Sequence, residues 1–241
     1  MTRPNVLMLV VDSLRADAVF GSHIHTPTFD THTSRGVAFH QCVCTSTTTT
    51  PSFSSLLTGC YPPKHGVRGL QGYRLSPALT TMAEAFAAGG YRTYAEVTGP
   101  LVPETGILRG FHGAEHRRAY RVQFFGWRDE VIDRMSSYEE PWLMLLHIWE
   151  VHRPYRSPPD FAKRKDREGY ERAVAATDEW LAPVLESAGD QPIILITGDH
   201  GEEYPGNQLE FQLARVARKA RRTVKLSRWL PYLDKKLAAL D

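Results

Sequence analysis

Apolar residues fall into two spacings along the chain. Val6–Val11 is an unbroken run of aliphatic side chains, so Asn5–Val11 reads as a strand buried on both faces. "PWLMLLHIW" (141–149) and "PIILIT" (192–197) read the same way, whereas "YRTYAEV" (91–97) alternates as a half-buried strand does. Between these runs, Pro77–Ala88, Phe125–Tyr138 and Asp166–Leu181 carry helical spacing. Gly89-Gly90 stops the first helix, and Pro183 marks the expected end of the last. Strands alternating with helices predict an α/β fold: a doubly wound, mainly parallel sheet with helices on both faces. The pattern suggests one α/β domain over 1–207, followed at 208–241 by a basic helical tail or part of an insertion.

The polar positions that follow the strands carry the chemistry. Asp12 follows the first strand; His147, Glu150 and His152 end or follow the "PWLMLLHIW" strand; Asp199 and His200 follow the last. Ligands of an open parallel sheet bind at the carboxyl ends of its strands, so these residues are expected to converge on one crevice. Carboxylate with imidazole suits a divalent cation and does not choose among zinc, manganese, magnesium and calcium. An Asp after a strand is also an ordinary turn or cap residue. Asp199-His200, set between Gly198 and Gly201, fits a tight turn around an ion better than a plain loop.

Thr45 to Thr50 are six hydroxyl side chains in a row, followed by Pro51 and an apolar helical pattern that ends at Gly59. Pro51 suits the first helical position and Thr50 the N-cap. A hydroxyl just before that N-terminus would face unpaired N–H groups and the positive end of the helix dipole, which together stabilise an anion. Threonine is a weak nucleophile unless something such as a metal ion activates it.

Composition narrows the class. At 241 residues, 42% apolar and 23% charged, the chain is an ordinary globular protein. Cys42, Cys44 and Cys60 lack zinc-site spacing and read as reduced thiols. No apolar run approaches the ~20 residues of a membrane span, so a cytoplasmic location is expected. Charge is uneven: residues 208–241 hold nine Lys/Arg against three acids, the rest 20 against 24. The basic face of the tail reads as solvated rather than as a nucleic-acid or membrane surface.

The ordered set "NVLMLVVDSLRAD", "TPTFD", "TTPSFSSLLTGCYPPKHGV", "AAGGYRT", "HIWEVHRPY" and "ITGDHGEE" resembles the sulfatase family of the alkaline phosphatase superfamily. The resemblance implies that family's doubly wound α/β fold. By position it implies Asp12, Asp199 and His200 as ligands of one divalent metal (Ca, Mg, Mn or Zn). It implies Thr49 as the nucleophile that also touches the metal, and His152 as the histidine that binds the ester oxygens or protonates the leaving group. His65 stands where the family keeps a site-supporting histidine.

Departures from the family refine this. Formylglycine sulfatases need Cys-x-Pro-Ser-Arg, and here Thr49-Thr50-Pro51-Ser52-Phe53 lacks both the cysteine and the arginine. Cys44 is out of register to replace it. Ser13 occupies the place of a further acidic ligand, and no second Asp/His set completes a second metal site. Family members also run well past the Asp-His-Gly turn, so the resemblance implies a chain shortened at its C-terminal side. The expectation is a metal-dependent hydrolase of small sulfate or phosphate esters, acting through Thr49 and not on nucleic acid. The alternatives are a phosphotransferase to an alcohol acceptor and a catalytically silent sulfatase-like domain.

Overall fold

A computed structural model of the chain describes residues 3–118, 123–124, 126–203 and 216. Among these residues five strands form one sheet: β1 (Val6–Val11), β2 (Arg92–Thr98), β3 (Gly113–Arg117), β4 (Trp142–Ile148) and β5 (Ile193–Gly198). Their order is β3-β2-β4-β1-β5 and every pairing is parallel. The helices are α1 (Ala16–Phe20), α2 (Pro27–Arg35), α3 (Thr49–Thr58), α4 (Pro62–His65), α5 (Met82–Ala88), α6 (Trp127–Ser136) and α7 (Arg167–Glu186). The expected fold class is therefore the observed one. β1 and β4, the most continuously apolar strands, are buried along their whole length at the middle of the sheet.

Alternation along the strands sorts the core into two layers. Met8 and Val10 of β1, Ala95 and Val97 of β2 and Leu145 of β4 pack with Phe53 and Leu57 of α3. Glu96, which points the opposite way from Ala95 and Val97, is gripped on the other face by Arg134 of α6 at 2.5 and 2.9 Å. On α6 and α7, Trp127 and Trp180 stack at 5.3 Å. Register puts His147 of β4 opposite Val10 of β1, on the α3 face, where its ring meets Phe53 edge-on at 4.9 Å.

Helix ends depart from expectation at three main places, the first being α5, which starts at Met82 behind the Thr81 cap, five residues after the expected Pro77. Helix α3 starts at Thr49 with Thr48 as its N-cap, two residues earlier than expected, so Pro51 is the third helical residue and Thr50 is not the cap. Pro51 is tolerated there because the N–H of an early helical residue has no partner within the helix. Gly59 ends α3 in the left-handed conformation (φ 63°), as expected. Pro183 does not end α7, which continues to Glu186. Its last turn buries Val184 and Leu185; two such side chains are worth about 3–6 kcal/mol, enough to offset the ~3 kcal/mol cost of an internal proline.

The α/β body forms a compact unit over Met1–Glu202. The expected tail at 208–241 lies, apart from Val216, outside the described residues. Among the described residues no helix is long and apolar enough to cross a membrane.

Candidate active site

The carboxyl ends of β1 and β5 are neighbours, since Val11 pairs with Gly198. The residues that follow them, Asp12 and Asp199, are thereby brought side by side. Gly198 is required for this approach, because a Cβ there would stand 2.5 Å from the backbone oxygen of Leu14. Ser13 turns the chain through a left-handed conformation (φ 59°) that side chains with a Cβ seldom adopt. In that turn the Ser13 N–H donates to Asp199 Oδ1 at 3.0 Å and its hydroxyl donates to Asp12 Oδ1 at 2.9 Å. The residue in the place of a further acidic ligand instead fixes the two acids that are present.

Asp199 Oδ1 also accepts the His200 N–H at 2.8 Å, whereas Asp199 Oδ2 is buried without a hydrogen-bond partner. The His200 ring lies with Nδ1 2.8 Å from the carbonyl of Gly201, which places the hydrogen on Nδ1 and leaves an Nε2 lone pair. That Nε2 is 3.5 Å from Asp199 Oδ2 and 3.3 Å from Thr49 Oγ1. Thr49 Oγ1 donates to Asp12 Oδ2 at 3.1 Å. Ser52, one turn along α3, donates to the Asp199 carbonyl at 2.5 Å and so pins the helix to the β5 turn.

Donor atoms of Asp12, Asp199 and His200 all lie within 4.8 Å of one another. Burial, and then the charge of Asp12, push the Asp199 carboxyl up to about 6. Burial works the same way on Asp12, but His147, His152 and His200 around it hold its carboxyl below the usual range. Two buried acids, one with an oxygen that no donor satisfies, and an imidazole lone pair facing them form a set that fits a divalent cation. Carboxylate and imidazole donors together leave its identity open.

The other expected residues divide. His152 closes a turn on Trp149, its N–H bonded to the Trp149 carbonyl at 2.9 Å, and it lies near enough to Asp12 to help hold that carboxyl down. Its Nδ1 donates to the Arg153 carbonyl at 2.7 Å. His65 is fully buried away from the three acid and imidazole donors: Nδ1 accepts from the Val67 N–H, and Nε2 donates to Ser55 Oγ at 3.0 Å. Ser55 also accepts from Thr45, so His65 braces α3 and the start of the threonine tract. Glu150 does not face the crevice. Arg117 holds it through both guanidinium nitrogens, at 2.6 and 3.0 Å, and the Gln123 N–H donates to it at 2.8 Å.

His147 is the neighbour that sequence reasoning left without a role. It is fully buried, its Nε2 is 3.5 Å from Asp12 Oδ2, and neither ring nitrogen has a hydrogen-bond partner. Only the pairing of β4 with β1 brings it there, and no local sequence signal states that register. The three cysteines are free, with Cys42 and Cys44 exposed.

Comparison with known proteins agrees with this architecture. A family model described as Sulfatase matches residues 4–219. An arylsulfatase of Klebsiella aerogenes is 34% identical over a 104-residue alignment that covers 38% of this chain and 22% of the arylsulfatase. The crystal structure of a phosphonate monoester hydrolase of Agrobacterium radiobacter superposes with a TM-score of 0.69 at 19% identity, over 83% of this chain and 63% of that one. The C-terminal periplasmic domain of EcEptC from Escherichia coli, in complex with Zn, gives a TM-score of 0.64 at 14% identity, over 87% and 67% respectively. The chain thus spans under a quarter of the arylsulfatase and less than two thirds of the monoester hydrolase.

Proposed function

Since the chain belongs to the sulfatase family, we propose that it is a metal-dependent hydrolase of small sulfate or phosphate esters with Thr49 as its nucleophile. One observation carries the reading: Thr49 Oγ1, in the first turn of α3, meets both Asp12 Oδ2 and His200 Nε2. Asp12, Asp199, His200 and Thr49 would hold the cation. When bound, it would lower the pKa of the Thr49 hydroxyl and offset the negative charge gathered at the site.

The protein's own groups account for the remainder. The Thr49 hydroxyl, oriented by Asp12 Oδ2, releases its proton to solvent water as Oγ1 attacks the phosphorus or sulfur. In the first turn of α3, Pro51 has no N–H and the Ser52 N–H is taken by Thr48. The N–H groups of Thr49 and Thr50 are left to stabilise the ester oxygens at the positive end of the helix. The ester oxygen departs as an alcohol, taking its proton from Nε2 of protonated His152, whose Nδ1 is already committed to Arg153. Water then cleaves the bond to Thr49 Oγ1 and releases sulfate or phosphate. Without the cysteine and arginine of the formylglycine motif, this route needs no aldehyde.

The test is turnover of a panel of aryl sulfates, phosphate monoesters, phosphate diesters and phosphonate monoesters by metal-loaded protein. Thr49→Ala should lose about three orders of magnitude or more on whichever ester is cleaved. Undiminished turnover by Thr49→Ala would remove Thr49 from the mechanism.

A further inference from the structure

Trp149 sits between the two histidines of "HIWEVH" and touches both. Its ring stacks on His152 with centroids 4.4 Å apart and planes 16° from parallel. It also meets His147 edge-on at 6.0 Å. The stack follows from the backbone: Trp149 and His152 are the first and last residues of a turn closed by the 2.9 Å hydrogen bond, so their side chains leave on the same side.

The third wall is built for the indole. Gly99, just past β2, has φ +65°, and a Cβ there would lie 2.5 Å from Trp149 Cζ3 and 2.7 Å from Cε3. Both the conformation and the close approach require glycine. His116 of β3 holds this shelf from beyond, with Nε2 3.2 Å from the Gly99 carbonyl. Gly99 and the His152 imidazole therefore both pack against the indole near the ends of β2 and β4, and the imidazole has its Nδ1 fixed to the Arg153 carbonyl.

From these contacts we infer that Trp149 is a positioning residue: seated on Gly99, it holds the His152 ring where Nε2 serves the leaving group. The inference rests on the hydrolase reading for the role of His152, but the placement of the ring is independent of it. The indole face also favours the protonated imidazole that a proton donor must be. A side chain that merely filled space would need neither a parallel stack nor a glycine beneath it.

The experiment compares phenyl with para-nitrophenyl esters, because only the poorer leaving group needs a proton. Trp149→Leu should lower kcat on the phenyl ester roughly 10-fold to 100-fold and leave the para-nitrophenyl ester and KM nearly unchanged. Trp149→Phe, which keeps an aromatic face, should restore most of the loss, and Gly99→Ala should reproduce it by displacing the indole. In a His152→Ala background Trp149→Leu should cost nothing more. Equal losses on both esters, or a further loss without His152, would overturn the positioning role. If no ester is turned over, the hydrolase reading fails, and proton–nitrogen NMR of the imidazoles decides the placement. His152 should then show the Nδ1-protonated form and a ring-current shift that Trp149→Leu abolishes; the same His152 signals in both proteins would overturn the inference.

Discussion

At the scale of single residues, the two oxygens of Asp199 have different surroundings. Oδ1 is satisfied by the Ser13 and His200 N–H groups, while Oδ2 is buried with no donor. Asp12 divides likewise, Oδ1 taking the Ser13 hydroxyl and Oδ2 facing Thr49 and His147. Each acid thus spends one oxygen on its own orientation and turns the other toward the shared site. His147 belongs to this arrangement as the buried imidazole behind Asp12 Oδ2. Its replacement by Leu should weaken divalent-metal binding roughly 10-fold to 100-fold, the usual worth of a group that orients a ligand. His147→Gln, which keeps a polar N–H group in that buried space, should lose less. Calorimetric titration with zinc or manganese reads both, and an unchanged affinity for the leucine variant would deny His147 that part.

At the scale of elements, α3 and α5 show how local signals place the site's supports. Thr81 and Glu84 form a capping box: the Glu84 N–H donates to Thr81 Oγ1 at 3.1 Å and the Thr81 N–H donates to Glu84 Oε2 at 2.8 Å. The Thr81 hydroxyl also donates to the Arg109 carbonyl, tying α5 to the turn before β3. Thr81→Ala should therefore cost about 1–2 kcal/mol, read as a lower urea midpoint at unchanged slope. A change of only a few tenths would mean that the cap is redundant. Glycine stops are legible in sequence, as Gly59 and Gly89 show, whereas the Thr81–Glu84 capping box was passed over and the start of α5 expected at Pro77. The start of α3 was harder to place, because four threonines in a row offer the same side chain at every candidate cap and only packing decides. β3 was missed because "GAEHR" is polar and mostly exposed at the sheet edge, which gives it no apolar pattern to read.

At the scale of the whole molecule, the parallel sheet gathers residues nearly 190 positions apart. The apolar runs made β1, β4 and β5 legible, and the polar residues after them disclosed Asp12, Asp199 and His200. Strand order was not legible. It is what sets His147 behind Asp12, and it lies outside any local pattern. Glu150 was misread for a similar reason, since its partner Arg117 is 33 residues away on β3.

The same gathering of acids makes stability and metal binding depend on pH. The Asp199 carboxyl titrates at about 6 in the folded metal-free protein against 3.8 when unperturbed. With its folded value raised, this group adds stability as pH falls from about 7 toward 4, because only the folded state takes up the proton. Asp12, held below 3.8, acts in the opposite sense and only beneath that window. The proton and the cation compete for Asp199, so the rise in Tm produced by a fixed concentration of zinc or manganese should be smaller at pH 5 than at pH 7.5. A rise that is equal or larger at the lower pH would mean that the cation binds elsewhere.

The central claim, that Thr49 is the nucleophile, is met most directly by trapping. Metal-loaded protein is mixed with an ester it turns over, quenched in acid within the first turnovers and digested for peptide mass spectrometry. The account predicts one phosphoryl or sulfuryl group on Thr49 in the peptide that carries "TSTTTTPSF", absent after Thr49→Ala. Turnover with the group on another residue, or with Thr49 never modified, would contradict it.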